Sequence, residues 1–164
     1  MSDSITLRPL CSQDVDHFLT WGGDPEVTRS LFWDHYDDRE TARKFLETIA
    51  EKHPWFMAIC LGQTPVGAVT LDRGTNRASC RAELGYVVAR SHWGRGIATE
   101  AVKQALHRGF KDLDVARIEA WVDPENPGSI RTLEKGGLAR EAFLKNYLVH
   151  RGRMRDRLLY AKTS

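Results

Sequence analysis

Trp93-Gly94-Arg95-Gly96-Ile97-Ala98-Thr99-Glu100-Ala101 leads from a β-rich run into an apolar period of 3.6 residues. A helix start offers free N–H groups and about half a positive charge, and glycines let a ligand reach that backbone without meeting a Cβ. A phosphate fits such a turn, although two glycines also make an ordinary strand-to-helix connection. A Walker loop needs G-x-x-x-x-G-K-[ST], which is absent, and a dinucleotide fingerprint needs a third glycine where Thr99 stands. Glu119 falls roughly where a ribose-binding acid would. The turn nevertheless follows four predicted strands, whereas a dinucleotide fold places it after the first. Glu83 is a second candidate, because a charge in the middle of a predicted strand wants a reason.

The elements that must position these groups are legible from periodicity. Ile5-Thr6-Leu7-Arg8-Pro9 alternates like a strand, and Ser12 is placed as an N-cap before Val15, Phe18 and Leu19, with Gly22-Gly23 as the stop. Asp24-Pro25 restarts a short helix. Ala42, Phe45, Leu46, Ile49 and Ala50 make the apolar face of a third helix, closed by Pro54. Trp55 to Leu61 and Val66 to Leu71 form a hairpin through Gly62-Gln63-Thr64-Pro65, and a strand follows from Ser79 to Ala89. From Gly94, Ile97, Ala101, Val102, Ala105, Leu106 and Phe110 stripe a helix of about four turns. Ala116 to Val122 is a strand, Asn126 to Lys135 a capped helix, and Ala139 to Val149 and Arg153 to Ala161 two more strands. The order predicts an α+β domain spanning 1–164 with one βαβ crossover, which sets the glycine turn at the carboxyl end of a strand.

Composition narrows the function classes. With 41% apolar residues, and 24 basic against 22 acidic side chains, the chain is globular and lacks the basic excess of a nucleic-acid or membrane-surface binder. Cys11, Cys60 and Cys80 are an odd number without C-x-x-C spacing, and the six histidines hold no H-E-x-x-H pair, so neither a disulfide framework nor a metal centre is expected. The run from Trp55 to Leu61 is too short to cross a bilayer, and the N-terminus has no basic region leading into an apolar stretch. A cytoplasmic protein is expected, small enough for nuclear entry.

Three blocks resemble the GNAT N-acetyltransferases, specifically the RimJ/RimL-like branch and its plant cytosolic-type members: Ala82-Glu83-Leu84-Gly85-Tyr86-Val87, then Trp93 to Ala101, then Asn126-Pro127-Gly128-Ser129 with Leu133-Glu134-Lys135-Gly136-Gly137-Leu138. The resemblance implies a mixed sheet of about seven strands, splayed at an acetyl-CoA site, with helices on both faces. It implies that Trp93, Gly94, Arg95, Gly96, Ile97, Ala98 and Thr99 hold the pyrophosphate of acetyl-CoA. The pantetheine arm would lie along Tyr86, Val87 and Val88 like an added strand. Trp93 departs from a Q/R consensus, and Arg95 is either a phosphate contact or a solvated loop residue. Asn126 would bond pantetheine, and its place before Pro127 also makes it an N-cap.

Many relatives carry a tyrosine general acid where Leu133 stands, so the resemblance moves that role to Ser129, otherwise a surface serine of the first helical turn. Glu83 is the implied base, or else a carboxylate paired with Arg81 or Arg117; Glu100 and Glu134 read as helix residues. The aromatic group Trp21, Phe32, Trp33, Tyr36 and Trp55 reads as core, yet by resemblance Trp33, Asp34, His35, Tyr36 and Tyr147 line the acceptor groove. Arg151, Arg153, Arg155 and Arg157 alternate as a wet strand edge. The implied function is transfer of an acetyl group to a primary amine, a peptide or protein N-terminus ahead of a small molecule, by direct attack in a ternary complex. The alternative is a non-catalytic acyl-CoA-binding or interaction module. Expected partners are acetyl-CoA and the amine acceptor, without nucleic acid, membrane or metal, in a monomer or homodimer.

Overall fold

The computed structural model describes residues 4–164; residues 1–3, part of the stretch read for a leader, lie outside them. The chain runs β1 (Ile5–Pro9), α1 (Val15–Gly22), α2 (Pro25–Thr28), α3 (Arg39–Phe45), β2 (Phe56–Leu61), β3 (Thr64–Arg73), β4 (Arg81–Val88), α4 (Ile97–Asp112), β5 (Arg117–Val122), α5 (Pro127–Gly136), β6 (Ala139–His150) and β7 (Arg153–Thr163). The strands form a seven-stranded sheet in the order β1-β2-β3-β4-β5-β7-β6. β4 and β5 pair in parallel across the α4 crossover, whereas β1–β2, β2–β3, β5–β7 and β6–β7 are antiparallel. The mixed α+β class therefore stands. Among the described residues no helix is long and apolar enough to cross a membrane.

The chain divides into two compact units, one of residues up to Thr70 with Tyr86–Ala101, the other of Leu71–Gly85 with Val102–Ser164. In the first, Leu10, Val15, Phe18, Trp21, Ala42 and Leu46 form an apolar cluster that Ala58, Cys60 and Ala68 join. Each large side chain buried there contributes about 1.5–3 kcal/mol. Met57 and Ile59, pointing the other way on β2, are also buried, so this strand is covered on both faces. Asp14, not Ser12, organises the entry to α1: its carboxylate accepts from Cys11 N and takes two bonds from Arg8, at 2.7 and 2.8 Å. Burial opposes the charge of Asp14, but the Arg8 guanidinium and the Cys11 N–H outweigh it and lower its pKa. Ser12 instead donates its N–H to Glu51.

Ile49 is exposed, against its expected place in the third helix. After Phe45 the helix loosens into a π turn over Leu46–Ala50, with Glu51 N–H bonding to Leu46 O. The wider turn rotates Ile49 off the face that the 3.6 period assigns to it. The hairpin turn is likewise tighter than expected. Gly62 takes φ +60, and Thr64 and Pro65 already belong to β3, with a register shift at Ile59/Cys60.

In the second unit α4 and α5 cover one face of the sheet. A Cβ on Gly109 would meet Leu71 and Ile118, and one on Gly136 would meet Val102, so both glycines permit close packing. The Tyr160 hydroxyl donates to Glu134 at 2.9 Å. The strand arginines do not form a wet edge. Arg151 sits with Gly152 in a positive-φ turn between β6 and β7; Arg155 bonds Asp123 and Glu125, and Arg157, 4% exposed, reaches Asp123.

Gly67 on β3 packs hardest against backbone: an added Cβ would lie 2.2 Å from Val87 O and 3.0 Å from Val88 Cα. Neither atom can swing away as a side chain would. Gly67→Ala is expected to destabilise by about 2–3 kcal/mol, read as a lower urea midpoint at unchanged slope.

Candidate active site

The glycine turn lies after a short 3-10 turn over Arg90–His92. Gly94 and Gly96 adopt φ +73 and +76, and a Cβ at either would meet nothing within 4 Å. The glycines are thus required by the backbone conformation, and the space a side chain would fill is open. Glu100 N–H bonds Gly96 O at 3.0 Å, so the amides of Ile97, Ala98 and Thr99 precede the first intrahelical bond. Ile97 is 4% exposed and packs inward as the first residue of α4. Arg95 is exposed, whereas the Trp93 indole N–H donates back to Val88 O at 2.7 Å and closes the loop between strand and turn. Arg90 ties the same segment to Asp24 at 3.0 Å. Of the predicted β4 residues, Tyr86 and Val87 are half-buried and Val88 buried, with Val87 packed on the apolar cluster.

In the second unit Asn126 caps α5, its Oδ1 accepting from Ser129 N at 3.1 Å. Pro127 follows at the first helical position, where a missing N–H costs nothing. The preceding loop is held by Asp123, which accepts from Glu125 N and pairs with Arg155 and Arg157. Leu133 is 1% exposed core.

The register Arg81↔Arg117, Ala82↔Ile118, Glu83↔Glu119 covers the whole parallel pairing of β4 and β5, although β4 runs on to Val88 and β5 to Val122. Alternation puts Arg81, Glu83, Arg117, Glu119 and Trp121 on one sheet face. Glu119, 3% exposed, takes both Arg81 and Arg117, and Arg117 continues to Glu141 at 2.6 Å. The arginines considered as partners for Glu83 are therefore engaged by Glu119. Trp121 lies on the same face, two positions beyond the residue level with Glu83. Although its side chain has access to solvent, surrounding protein desolvates the Glu83 carboxyl; this, followed by the charges of Asp72 and Glu119, raises its pKa against the opposing Arg81 charge.

The residues expected to line an acceptor groove fall in two places. In the first unit Trp33 and Tyr36 pack on Phe18, with ring centroids 6.4 and 5.4 Å away, and His35 pairs with Asp37 at 2.8 Å. Trp21 and Trp55 are core, whereas Phe32 is exposed. Tyr147 lies in the second unit, stacked on Trp121 with centroids 4.8 Å apart and planes 17° from parallel. Trp121 was missed by sequence reasoning. Its signal was the crossover, since parallel β4–β5 pairing sets residues 83 and 119 level and Trp121 two positions further on the same face.

The raised pKa of Glu83 makes its charge a cost to folding above the ordinary glutamate range. Between the unfolded and folded pKa values the native state holds more protons, so its contribution to stability falls as pH rises through that window. Glu83→Gln is expected to raise Tm at pH 8 and to lose that gain at pH 4, where both states of the wild type are protonated; thermal melts at the two pH values check this.

The acetyltransferase (GNAT) domain family matches residues 4–139. Over 98% of its length the chain is 31% identical to the uncharacterized N-acetyltransferase p20 of Bacillus licheniformis, covering 93% of that protein. It is 45% identical to the uncharacterized protein YkkB of Bacillus subtilis, over 84% of this chain and 83% of that one. Mycobacterium smegmatis RimJ, solved in complex with a CoA disulfide, superposes with a TM-score of 0.74 at 30% identity, over 98% of this chain and 82% of that one. The RimJ/RimL likeness thus holds, whereas these bacterial relatives give no support to plant cytosolic-type members or to nuclear entry. The chain belongs to the GNAT family and is an acetyl-CoA-dependent N-acetyltransferase.

Proposed function

We propose that residues 1–164 act as one catalytic domain that acetylates a primary amine by direct attack in a ternary complex, with α-amino groups of peptides or proteins as the favoured acceptors. The observation that carries this reading is Glu83, a carboxylate of raised pKa whose neighbouring arginines are engaged elsewhere. Such a group suits a general base better than a carboxylate held in an ion pair does.

The turn fits acetyl-CoA on its own features. Two positive-φ glycines leave open space, and the first amides of α4 lie ahead of its hydrogen-bond ladder. Gly94, Arg95, Gly96, Ala98 and Thr99 would hold the pyrophosphate, with Trp93 and Ile97 contributing through the loop backbone. The stretch Tyr86–Val88 would pair with pantetheine, and Asn126 would add a polar contact while it caps α5. Glu83, directly or through water, takes a proton from the ammonium. The free amine then attacks the thioester carbonyl, a C–N bond forms and the C–S bond breaks. Ser129 gives a proton to the departing thiolate and regains one from solvent as the second amine proton is lost.

Amine basicity favours an α-amine. With a pKa near 8 it is about a fifth neutral at pH 7.4, whereas lysine near 10.4 is only about one part in 10³ neutral. Acceptor contacts are proposed for Trp33, His35, Tyr36 and Tyr147.

Millimolar acetyl-CoA is expected to raise Tm by mass action, a shift that Gly96→Asp abolishes because a side chain and a like charge meet the phosphates. Ser129→Ala keeps the shift but loses roughly 10 to 10³-fold in kcat. A thiol-release assay with peptides bearing either a free α-amine or only lysine tests the acceptor. Faster turnover on the α-amine is expected, with Glu83→Gln costing more at pH 6.5 than at pH 8.5. Faster lysine acetylation would overturn the acceptor assignment, and equal losses at the two pH values would leave Glu83 a binding role only.

A further inference from the structure

We propose that Arg155 and Arg157 of β7 are positioning residues for the transfer step: they clamp Asp123 at the end of β5 and thereby fix the turn that sets Asn126 and Ser129 at the start of α5. This rests on the proposed role of Ser129 as proton donor to the thiolate, and gives a part to residues that role leaves out.

Every link lies in the second unit. The β5–β7 ladder ends at Val122↔Leu158, and one step beyond it the two strands are joined by side chains. Arg157 Nη1 reaches Asp123 Oδ2 at 3.3 Å and also donates to Asp156 O at 2.8 Å. Arg155, two positions along the same strand face, reaches the same Asp123 oxygen at 2.8 Å and bonds Glu125 as well. Arg157 is nearly buried and Asp123 partly so, and such charge-assisted bonds are stronger than those between neutral groups. The other acceptors of Asp123 serve the turn. Its Oδ1 takes the Glu125 N–H at 2.9 Å, and its carbonyl takes the Asn126 N–H at 2.9 Å. One carboxylate oxygen thus belongs to β7 and the other to the loop. Asn126 passes the constraint on, since its Oδ1 accepts from Ser129 N, and Ser129 is half-buried within the first turn of α5. The far end of α5 is held separately, by the bond from Tyr160 to Glu134. Both ends of the helix are therefore referenced to β7. A displacement of about 1 Å at a reacting group costs up to about 10²-fold in rate, so a clamp of this kind acts on chemistry without touching a substrate.

Arg157→Met and Asp123→Asn test this. The first removes the buried cation, and the second keeps the side-chain volume and an acceptor for Glu125 N–H while removing the charge that holds both guanidinium groups. Each is expected to lower kcat about 10-fold with KM for the amine unchanged, and to quicken amide exchange at Glu125, Asn126 and Ser129 but not at Gly137 and Leu138. Arg157→Lys, which retains a cation, should recover most of the loss. In a Ser129→Ala background neither variant should cost further kcat, because the group they aim is gone. If Arg157→Met does not fold, Asp123→Asn carries the same comparison alone. If Ser129→Ala lowers kcat while the folded clamp variants keep it, the positioning role is overturned and the acid assignment survives. If Ser129→Ala keeps full kcat, the acid assignment fails and takes the positioning role with it. Losses that add in full to that of Ser129→Ala also overturn the proposal.

Discussion

A buried carboxylate sets the chemistry of the β4–β5 face. Glu119 is 3% exposed, and a charge so placed is costly unless it is paired and hydrogen-bonded. It therefore recruits Arg81 from the strand beside it and Arg117 from its own strand, and Arg117 extends the lattice to Glu141 on β6. The consequence falls on Glu83, level with Glu119 in the parallel register. Both guanidinium groups are engaged by its neighbour, so Glu83 is left facing the charges of two nearby carboxylates, Asp72 and Glu119. The ion-pair lattice thus consolidates the sheet and at the same time keeps a second carboxylate outside an ion pair.

Similar economy governs the two helix starts. At α4, positive φ at Gly94 and Gly96 brings the chain into the helix with its first amides ahead of the ladder, and Trp93 ties the loop back to Val88. At α5, the cap is made by Asn126, and the loop before it is anchored by Asp123 between Arg155 and Arg157. Arg157 is nearly buried, so its pairing with Asp123 is screened little by solvent. Side chains that read along β7 as a solvated row therefore act at long range on the loop that presents Asn126 and Ser129.

Much of the fold was legible because local chemistry and tertiary context agree. The stripe from Ile97 to Phe110, the Asn126-Pro127 helix start, the Asp24-Pro25 restart and the seven strands depend on neighbours a few residues away. The glycine turn was legible for the same reason, since only glycine enters positive φ without strain. Where the reading failed, a side-chain pairing or a change of helix type that no regular period carries decided. Ser12 lost the cap because Arg8 fixes Asp14 opposite Cys11, and Ile49 left the core because a π turn broke the period.

The sequence by itself determined the element order, the parallel crossover, the family and the turn suited to a phosphate, because glycines, caps and hydrophobic periods act through short-range sterics and hydrogen bonds. Only the tertiary structure decided which carboxylate is engaged by the arginines and which is not. Arg81, Glu83, Arg117 and Glu119 allow several pairings on paper, and the choice depends on strand register and on burial, which makes Glu119 the charge that must be neutralised. The same holds for Trp121 and Tyr147, separated by 26 positions in sequence and brought face to face by a bulge that no local period announces.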